Sequence, residues 1–284
     1  MKFEVSGQLW YQVNGPATVI TSLHCMRTAG QDVSEESFVT SRPVESFEEI
    51  SVGLGQSRFA RLALGEAGEI SFDYSAEVTT SPSFVPLGDL FQPGLEHFAQ
   101  EVVPFLFPSR YCQSDVLRQT AADLFPARNT TYERVSMIVD WISNHLGYVS
   151  GSTDEQTSAL EVLEKRAGVC RDFAHLGIAF CRALTIPARY TTVYAYQLQP
   201  QDFHACFEAY INGEWYLFDA TNLAPLNGMV RISTGRDASD AAVATLFGDI
   251  MGTGLSVRCQ CLDDHFQPVR RQDLENRGEA FVLA

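Results

Sequence analysis

Residues 167–176 read Ala-Gly-Val-Cys-Arg-Asp-Phe-Ala-His-Leu and place Cys170 between a glycine-containing turn and a helical pattern. Gly168 suits the break before the helix, and the apolar residues that follow recur at nearly helical spacing: Phe173, Leu176, Phe180 and Leu184. A cysteine in the first turn of a helix lies beside unpaired backbone N–H groups and the positive end of the helix dipole, which favour a thiolate. Free cysteines also pack as small buried residues, so this stretch alone leaves a reactive and a structural cysteine both open.

A predicted hairpin with a histidine and an aspartate follows downstream. Residues 203–210 alternate like a strand, Asn212-Gly213 is a strong two-residue hairpin signal, and residues 215–219 read as the returning strand. His204 and Asp219 then lie near the same end of the hairpin, where the carboxylate can orient the imidazole through its second nitrogen. Together with the cysteine, these residue types supply a thiolate, its base and the group that orients the base.

At these residues the sequence resembles the transglutaminase-like branch of the papain-like thiol enzymes, in the bacterial type that carries a β-rich N-terminal domain. The resemblance runs from about residue 130 to residue 247 and is carried by four pieces: residues 168–176, 184–190, 204–208 and 215–221. It implies that Cys170 is the nucleophile, that His204 is the general base and acid, and that Asp219 orients the histidine.

The resemblance also implies a role for an aromatic residue upstream. In such proteins an aromatic residue in a similar position borders the cleft and helps to hold the oxyanion, and Tyr148, in the polar loop 147–153, is the candidate here. A tyrosine that packs this loop against a helix is the alternative. Two positions depart from the family pattern, since Cys206 stands where the family often has Trp and Ala220 where it often has Pro. Neither departure removes a reacting group, so both bear on the shape of the cleft.

Other charged residues near the motif have competing interpretations. Arg171 and Asp172 follow the nucleophile directly, and we expect structural roles for both. His175 lies just over one helical turn beyond the cysteine without a paired carboxylate, so a buried, packed histidine is favoured over a second base. Asp202 shares a strand face with the motif histidine and is an alternative orienting carboxylate.

The composition is that of an ordinary globular chain. Its 284 residues and 45% hydrophobic content suffice for two domains with their own cores, and its formal net charge of -15 argues against nucleic-acid and membrane partners. The chain has neither a long apolar N-terminal segment nor a run approaching the ~18 apolar residues of a membrane span. Seven cysteines, an odd number without C-x-x-C pairs, favour reduced thiols. A cytoplasmic location is therefore predicted.

The chain divides into two predicted domains. Residues 1–85 contain short runs of β-branched, aromatic and aliphatic residues, typical of a small β-sandwich, in which residues 58–64 and 69–74 form a hairpin. Residues 81–94 are rich in proline, glycine and serine and predict a linker. Residues 86–284 form the predicted catalytic domain.

The predicted fold of the catalytic domain is α+β, a papain- or transglutaminase-like core with helices packed on an antiparallel sheet. Capping-box patterns at Thr130 and Ser158 open two helices before the cysteine. Residues 188–196 are rich in β-branched and aromatic residues and predict the first strand of the catalytic sheet.

The last third of the sequence has weaker signals. Residues 229–232 and 255–262 predict later strands, and residues 237–247 predict a short helix between them that ends at Gly248. The residues from Arg270 onward are charged and are predicted to fray.

The leading hypothesis is an enzyme that attacks an amide carbonyl and forms a covalent thioester. Transfer of the acyl group to water gives a cysteine peptidase or amidase, which is favoured, and transfer to an amine gives a protein-glutamine transglutaminase. The expected partner is a peptide or protein amide, and the expected site needs no cofactor and no metal. The triad does not select the substrate or the acceptor, and the sequence leaves the oligomeric state open.

Two alternatives belong to other classes of protein. A protein-binding scaffold would keep the fold without the chemistry, because fold alone does not imply activity. A metal site built from Cys170, His204 and Cys206 would need about four ligands, and no fourth ligand is spaced to complete it.

Overall fold

The computed structural model describes residues 1–52, 57–91 and 93–283. The N-terminal part is made of strands: β1 (Lys2–Thr21), β2 (Gln31–Thr40), β3 (Ser46–Val52), β4 (Ser57–Leu64), β5 (Gly68–Thr80) and β6 (Ser83–Pro86). The remainder mixes helices and strands: α1 (Arg118–Leu124), α2 (Thr131–His145), β7 (Gly147–Tyr148), α3 (Ala159–Lys165), β8 (Ala167–Gly168), α4 (Cys170–Ala183), β9 (Ala188–Ala195), β10 (Phe203–Ile211), β11 (Glu214–Phe218), β12 (Met229–Gly235), α5 (Ala238–Ala241), β13 (Ala244–Cys261), α6 (Arg271–Asn276) and β14 (Glu279–Val282). Short 3-10 helices cover Leu87–Asp89, Leu95–His97, Val103–Leu106 and Leu226–Gly228.

Strands β1 to β5 form one antiparallel sheet around β1, whereas β6 pairs with β14. The strand order is β2-β5-β1-β4-β3, and β13 pairs with the other edge of β1. Because β1 is 20 residues long, its first part pairs with β5 over residues 2–13 and its last part pairs with β4 over residues 17–21. The predicted hairpin between residues 58–64 and 69–74 is therefore wrong, since both segments pair with β1 instead of with each other.

The strand β13 joins the N-terminal sheet from the far end of the chain. It begins at Ala244 and continues through Gly248, so the helix predicted for residues 237–247 is confined to Ala238–Ala241. Gly248 does not end a helix, because it lies within β13 and pairs with Ala17 of β1. Its φ is +97°, and a Cβ at this position would lie 2.3 Å from the carbonyl oxygen of Pro16, so the two strands approach too closely for a larger residue. The predicted domain boundary between residues 85 and 86 stays a prediction. The sheet around β1 contains strands from both sides of this boundary, because β13 joins strands β1 to β5.

The second sheet carries the predicted catalytic hairpin. Its order is β11-β10-β9-β12, all antiparallel, and α4 packs against its centre. The α+β class, with helices before an antiparallel sheet, is confirmed. Capping boxes at Thr130 and Ser158 begin α2 and α3 as predicted.

The two sheets share a core. Tyr194 of β9 and Val230 and Ile232 of β12 are buried with the apolar face of the N-terminal sheet. The hydroxyl of Tyr194 donates to the carbonyl of Leu23 at 2.9 Å, which ties the sheets together through a buried hydrogen bond. In the described part of the chain, no helix has both the length and the apolar character needed to cross a membrane.

Residues 270–283 pack against the rest of the fold, so the fraying predicted from Arg270 onward is wrong for these residues. Leu274 of α6 and Phe281 of β14 are fully buried, and β14 pairs with β6. The charge of the buried Arg271 is compensated by ion pairs with Asp140 and Glu275. Burial of these apolar side chains and the ion pairs of Arg271 thus hold the C-terminal segment in place, although its polar composition suggested that it would fray.

We expect Gly177→Ala to destabilise the protein. A Cβ at Gly177 would lie 2.5 Å from Cε1 of Phe207, whose ring is fully buried, so α4 would have to move away from β10. Overpacking should exceed the ~1 kcal/mol that alanine gains over glycine in a helix and lower the free energy of unfolding by about 1–2 kcal/mol. Urea unfolding measures this change in the free energy of unfolding. Gly88→Ala is the control, because a Cβ at Gly88 would have no neighbouring atom within 4 Å. A stabilised Gly177→Ala variant would contradict this packing.

Candidate active site

Cys170 is the first residue of α4 and follows the N-cap residue Val169. Its side chain is partly exposed, whereas Cys25, Cys112, Cys181, Cys206 and Cys259 are buried. The first N–H groups of a helix have no intrahelical acceptors and point towards a negative charge placed there. The predicted nucleophile therefore lies at the position where the helix can stabilise an anion.

Asp172 holds this turn in place. Its Oδ2 accepts hydrogen bonds from the backbone N–H of Val169 at 2.8 Å and from the hydroxyl of Thr153 at 2.5 Å. Arg171 donates to the carbonyl of Asp154 at 2.5 Å. The structural roles predicted for Arg171 and Asp172 are confirmed by these contacts, which fasten the loop after β7 to the cysteine turn.

His204 and Asp219 meet where the hairpin opens. The pairing of β10 with β11 ends at Phe207 and Phe218, so Asp219 follows the last paired residue and His204 lies beyond the end of β11. His204 Nε2 lies 2.9 Å from Asp219 Oδ2. The other carboxylate oxygen accepts from the N–H and the hydroxyl of Thr221 at 2.9 and 2.7 Å. The carboxylate is thereby fixed from both sides.

Burial and charge oppose each other in this pair. Burial would lower the pKa of His204, but the charge and hydrogen bond of Asp219, with smaller contributions from Cys170, raise it to about 10. Burial would likewise raise the pKa of Asp219, and the charge and hydrogen bond of His204 lower it instead. The imidazolium and the carboxylate, whose side chains are both buried, therefore stabilise each other.

The second nitrogen of His204 is available for Cys170. His204 Nδ1 is buried without a hydrogen-bond partner, while Nε2 is occupied by the carboxylate. Cys170 interacts with the imidazole strongly enough to contribute to its raised pKa. The structure thus brings together the three residues that the sequence singled out: a partly exposed thiol, a buried imidazole and a buried carboxylate.

Tyr148 is the fourth predicted residue, and it lies next to the cysteine turn. Tyr148 in β7 pairs in parallel with Gly168 in β8, two residues before Cys170, and its ring is 5.8 Å from that of Phe173. Burial, followed by the charge of Cys170, raises the pKa of Tyr148 to about 12, so the phenol keeps its proton. The side chain is 46% exposed, so a bound substrate can reach it.

Two alternatives from the sequence are wrong. The Asp202 carboxylate accepts from the N–H of Phe203 at 2.7 Å, and the imidazole of His204 binds Asp219 instead. His175 is fully buried, and its Nε2 accepts from the N–H of Ala238 at 3.1 Å. Because burial lowers the pKa of His175 to about 3, this ring stays neutral, and the predicted packed histidine is confirmed.

The structure offers no support for the alternative metal site. The thiol of Cys206 is buried and donates to the carbonyl of Thr191 at 3.7 Å. Within residues 1–52, 57–91 and 93–283, no group of three or more His, Cys, Asp or Glu side chains is arranged to hold a metal ion.

A buried charge network on the histidine strand was missed at the sequence level. Glu208 of β10 is fully buried and accepts from Arg189 Nε at 2.5 Å, from the hydroxyl of Thr191 at 3.2 Å and from Arg231. Arg231 also donates to the carbonyl of Leu283. The available signal was a carboxylate in the middle of an otherwise apolar strand, which is rarely buried without a cationic partner.

Matches to known proteins cover both parts of the chain. Residues 118–220 match the model of the transglutaminase-like superfamily, and residues 1–86 match the model of the bacterial transglutaminase N-terminal domain. A solved structure from Cytophaga hutchinsonii, described as a "putative cysteine protease", is 47% identical, covers 100% of this chain and 98% of its own, and superposes with a TM-score of 0.96.

Two curated relatives are uncharacterized mycobacterial proteins. The protein of Mycobacterium leprae is 32% identical over 123 residues, which are 40% of this chain and 43% of that protein. The protein of Mycobacterium tuberculosis strain H37Rv is 38% identical over 81 residues, which are 28% of this chain and 26% of that protein. The chain thus spans less than half the length of the curated relatives that it matches.

The raised pKa of His204 predicts how stability depends on pH. The stabilisation is fully present below about pH 6.5, the unfolded value, and is lost as the pH rises through the folded value of about 10. We expect the free energy of unfolding of the wild type to fall in this window by up to about 1.4 kcal/mol per pH unit. Asp219→Asn should be less stable at pH 6 and should lack this part of the slope. Equal slopes in urea titrations of both proteins would contradict the ion pair.

The Glu208 network predicts a second effect on stability. Glu208→Gln leaves the buried guanidinium of Arg231 and the partly buried guanidinium of Arg189 without their carboxylate, and we expect a loss of about 3–5 kcal/mol in the free energy of unfolding. Glu214→Gln, the same change at an exposed position of the neighbouring strand, should cost less than about 0.5 kcal/mol. Urea unfolding of both variants makes the comparison, and equal losses would rule out a buried network.

Proposed function

Because the chain belongs to the transglutaminase-like superfamily, we propose that it is a thiol enzyme acting on a peptide or protein amide through Cys170, His204 and Asp219. The observation that carries the proposal is the 2.9 Å contact between His204 Nε2 and Asp219 Oδ2, which leaves Nδ1 free for the thiol. A histidine fixed in this way can exchange a proton with a nucleophile on its other nitrogen.

The proposed reaction has two steps. The Cys170 thiolate attacks the amide carbonyl carbon, the C–N bond breaks, and the proton on His204 passes to the leaving amine. A water molecule then attacks the thioester and gives one proton to His204, the C–S bond breaks, and the carboxylic acid and the Cys170 thiolate are released, which restores the thiolate–imidazolium pair. Asp219 keeps the imidazole oriented and stabilises its charged form throughout.

The oxyanion that forms in each step needs hydrogen-bond donors. The backbone N–H of Cys170 at the start of α4 is one candidate, and the Tyr148 hydroxyl is the other, since the pKa of Tyr148 is raised and its proton is retained. Removal of one oxyanion donor typically lowers kcat by about 10²–10³, so the role proposed for Tyr148 has a measurable consequence.

Hydrolysis is the proposed outcome over transfer to an amine. The side chains of Cys170 and Tyr148 are both partly exposed, which gives water access to a thioester at this position. A peptidase or amidase would use this access, whereas a transglutaminase must keep water away until the amine arrives. We propose a cytoplasmic location, in keeping with seven free cysteines.

Substrate turnover and covalent trapping together test this function. Wild-type protein is incubated with a peptide library with and without a primary amine, and products and intact protein are read by mass spectrometry. We expect cleaved peptide bonds or deamidated side chains, and an acyl adduct on Cys170. His204→Ala should lower kcat/KM by about 10²–10⁴, Cys170→Ala should abolish turnover, and Tyr148→Phe should lower kcat by about 10²–10³.

The matched control is Cys261→Ala, because Cys261 is the other partly exposed thiol. This variant should keep full activity. Amine incorporation without hydrolysis would favour the transglutaminase alternative, and a folded wild type with neither turnover nor an adduct on Cys170 would leave the scaffold alternative.

A further inference from the structure

The strand β13 has one edge without a partner strand. It pairs with β1 along almost its whole length of 18 residues, and in the parts of the chain that the structure describes no strand lies against its other edge. Natural proteins protect such edges by keeping them short or by placing lysine or proline on them, because free N–H and C=O groups recruit other strands. Residues 244–261 contain neither lysine nor proline.

The side chains of this strand are apolar and exposed. Four of them have relative exposures between 37% and 59%: Leu246, Phe247, Met251 and Leu255. Trp10 of β1 lies beside them, with its ring 3.2 Å from the position that a Cβ of Gly254 would take. Their partners on β1 place Leu246 and Leu255 on one face of the strand and Phe247 and Met251 on the other, so exposed apolar side chains flank this edge on both faces of the sheet.

Two contacts establish which backbone groups of β13 point outward. The N–H of Leu262 donates to the carbonyl of Lys2 on β1, whereas the N–H of Cys259 donates to Gln201 Oε1 at 2.8 Å, away from β1. Alternation from Cys259 places Val257 and Leu255 outward. Gln201 occupies the edge at Cys259, so the free edge ends near residue 258.

A bulge changes this alternation in the middle of the strand. Trp10 pairs with Gly254 and Tyr11 with Gly252, so Thr253 is an extra residue. Past the bulge, the outward positions are therefore Gly252 and Ile250. This spacing of outward positions decides which registers another strand can adopt.

We propose that β13 pairs in antiparallel orientation with β13 of a second copy of this chain, over residues 249–258. In this register Gly252 lies opposite Leu255 of the second copy and Ile250 lies opposite Val257, so outward backbone groups meet at each pair. The bulges of the two strands face each other at the two-fold axis. The interface is isologous, and every contact occurs twice.

Charge complementarity favours a second copy over an unrelated strand. Asp249 and Arg258 are the only charged residues in residues 244–261, and they have opposite signs. In the proposed register, Asp249 of each chain lies opposite Arg258 of the other, so one ion pair stands at each end of the pairing. A shift of two residues in either direction would leave all four charges without these partners.

Charge reversal tests this register. Sedimentation velocity over a dilution series should show the wild type in a monomer–dimer equilibrium. Asp249→Arg places two arginines opposite each other and should raise the dimer dissociation constant at least about tenfold, as should Arg258→Asp. The double variant D249R/R258D restores opposite charges and should recover most of the affinity. Asp264→Arg, an exposed change of the same kind outside the register, should leave the constant unchanged.

A second variant separates edge pairing from other modes of association. The N–H of Leu255 points away from β1, so Leu255→Pro removes a hydrogen bond of the dimer while keeping those to β1, and it should be monomeric with an unchanged near-UV circular dichroism spectrum. A wild type that is monomeric at every concentration would overturn the proposal. So would single reversals without effect, or a double variant that fails to recover the affinity.

Discussion

The close approach of α4 to β10 is the constraint on which the site depends. Gly177 leaves room for the buried ring of Phe207, and this contact sets the helix at a fixed distance from the strand. Cys170 begins that helix and His204 lies near the start of that strand, so one packing contact positions both proposed reactants. The fold therefore fixes the geometry of the thiol and the imidazole before any substrate binds.

Buried charges hold the strand side of this arrangement. Asp219 fixes His204 at the open end of the hairpin, and Glu208, four residues along β10, binds Arg189 and Arg231 across three strands of the sheet. Because Arg231 also binds the carbonyl of Leu283, the C-terminal residues are connected to the same strand. Burying these charges costs desolvation free energy, but the hydrogen bonds between them fix the positions of the side chains. A strand held in this way can present the imidazole of His204 in a single orientation.

The sequence was sufficient for the elements whose signals are local. A glycine turn with helical apolar spacing, an alternating strand and a two-residue hairpin placed Cys170 at the start of α4, His204 on β10 and Asp219 at the end of the returning strand. Each of these signals lies within a few residues of its element. The helix predicted for residues 244–247 was wrong because a short apolar run fits a helix or a strand equally well. The pairing partner of this segment, residues 18–21 of β1, lies more than 200 residues away in the sequence. The prediction that the chain frays from Arg270 onward was wrong for a related reason, because the ion pair between Arg271 and Asp140 cannot be predicted from the neighbouring sequence.

The most direct test of the proposed chemistry is the alkylation rate of Cys170 as a function of pH, read by peptide mass spectrometry in the wild type and in His204→Ala. Cys261 is the internal reference because it is also partly exposed and lies outside the site. The thiolate–imidazolium pair predicts that Cys170 reacts much faster than Cys261 below about pH 7 and that this advantage disappears in the variant. Equal rates for the two cysteines in the wild type would contradict the assignment of Cys170 as the nucleophile.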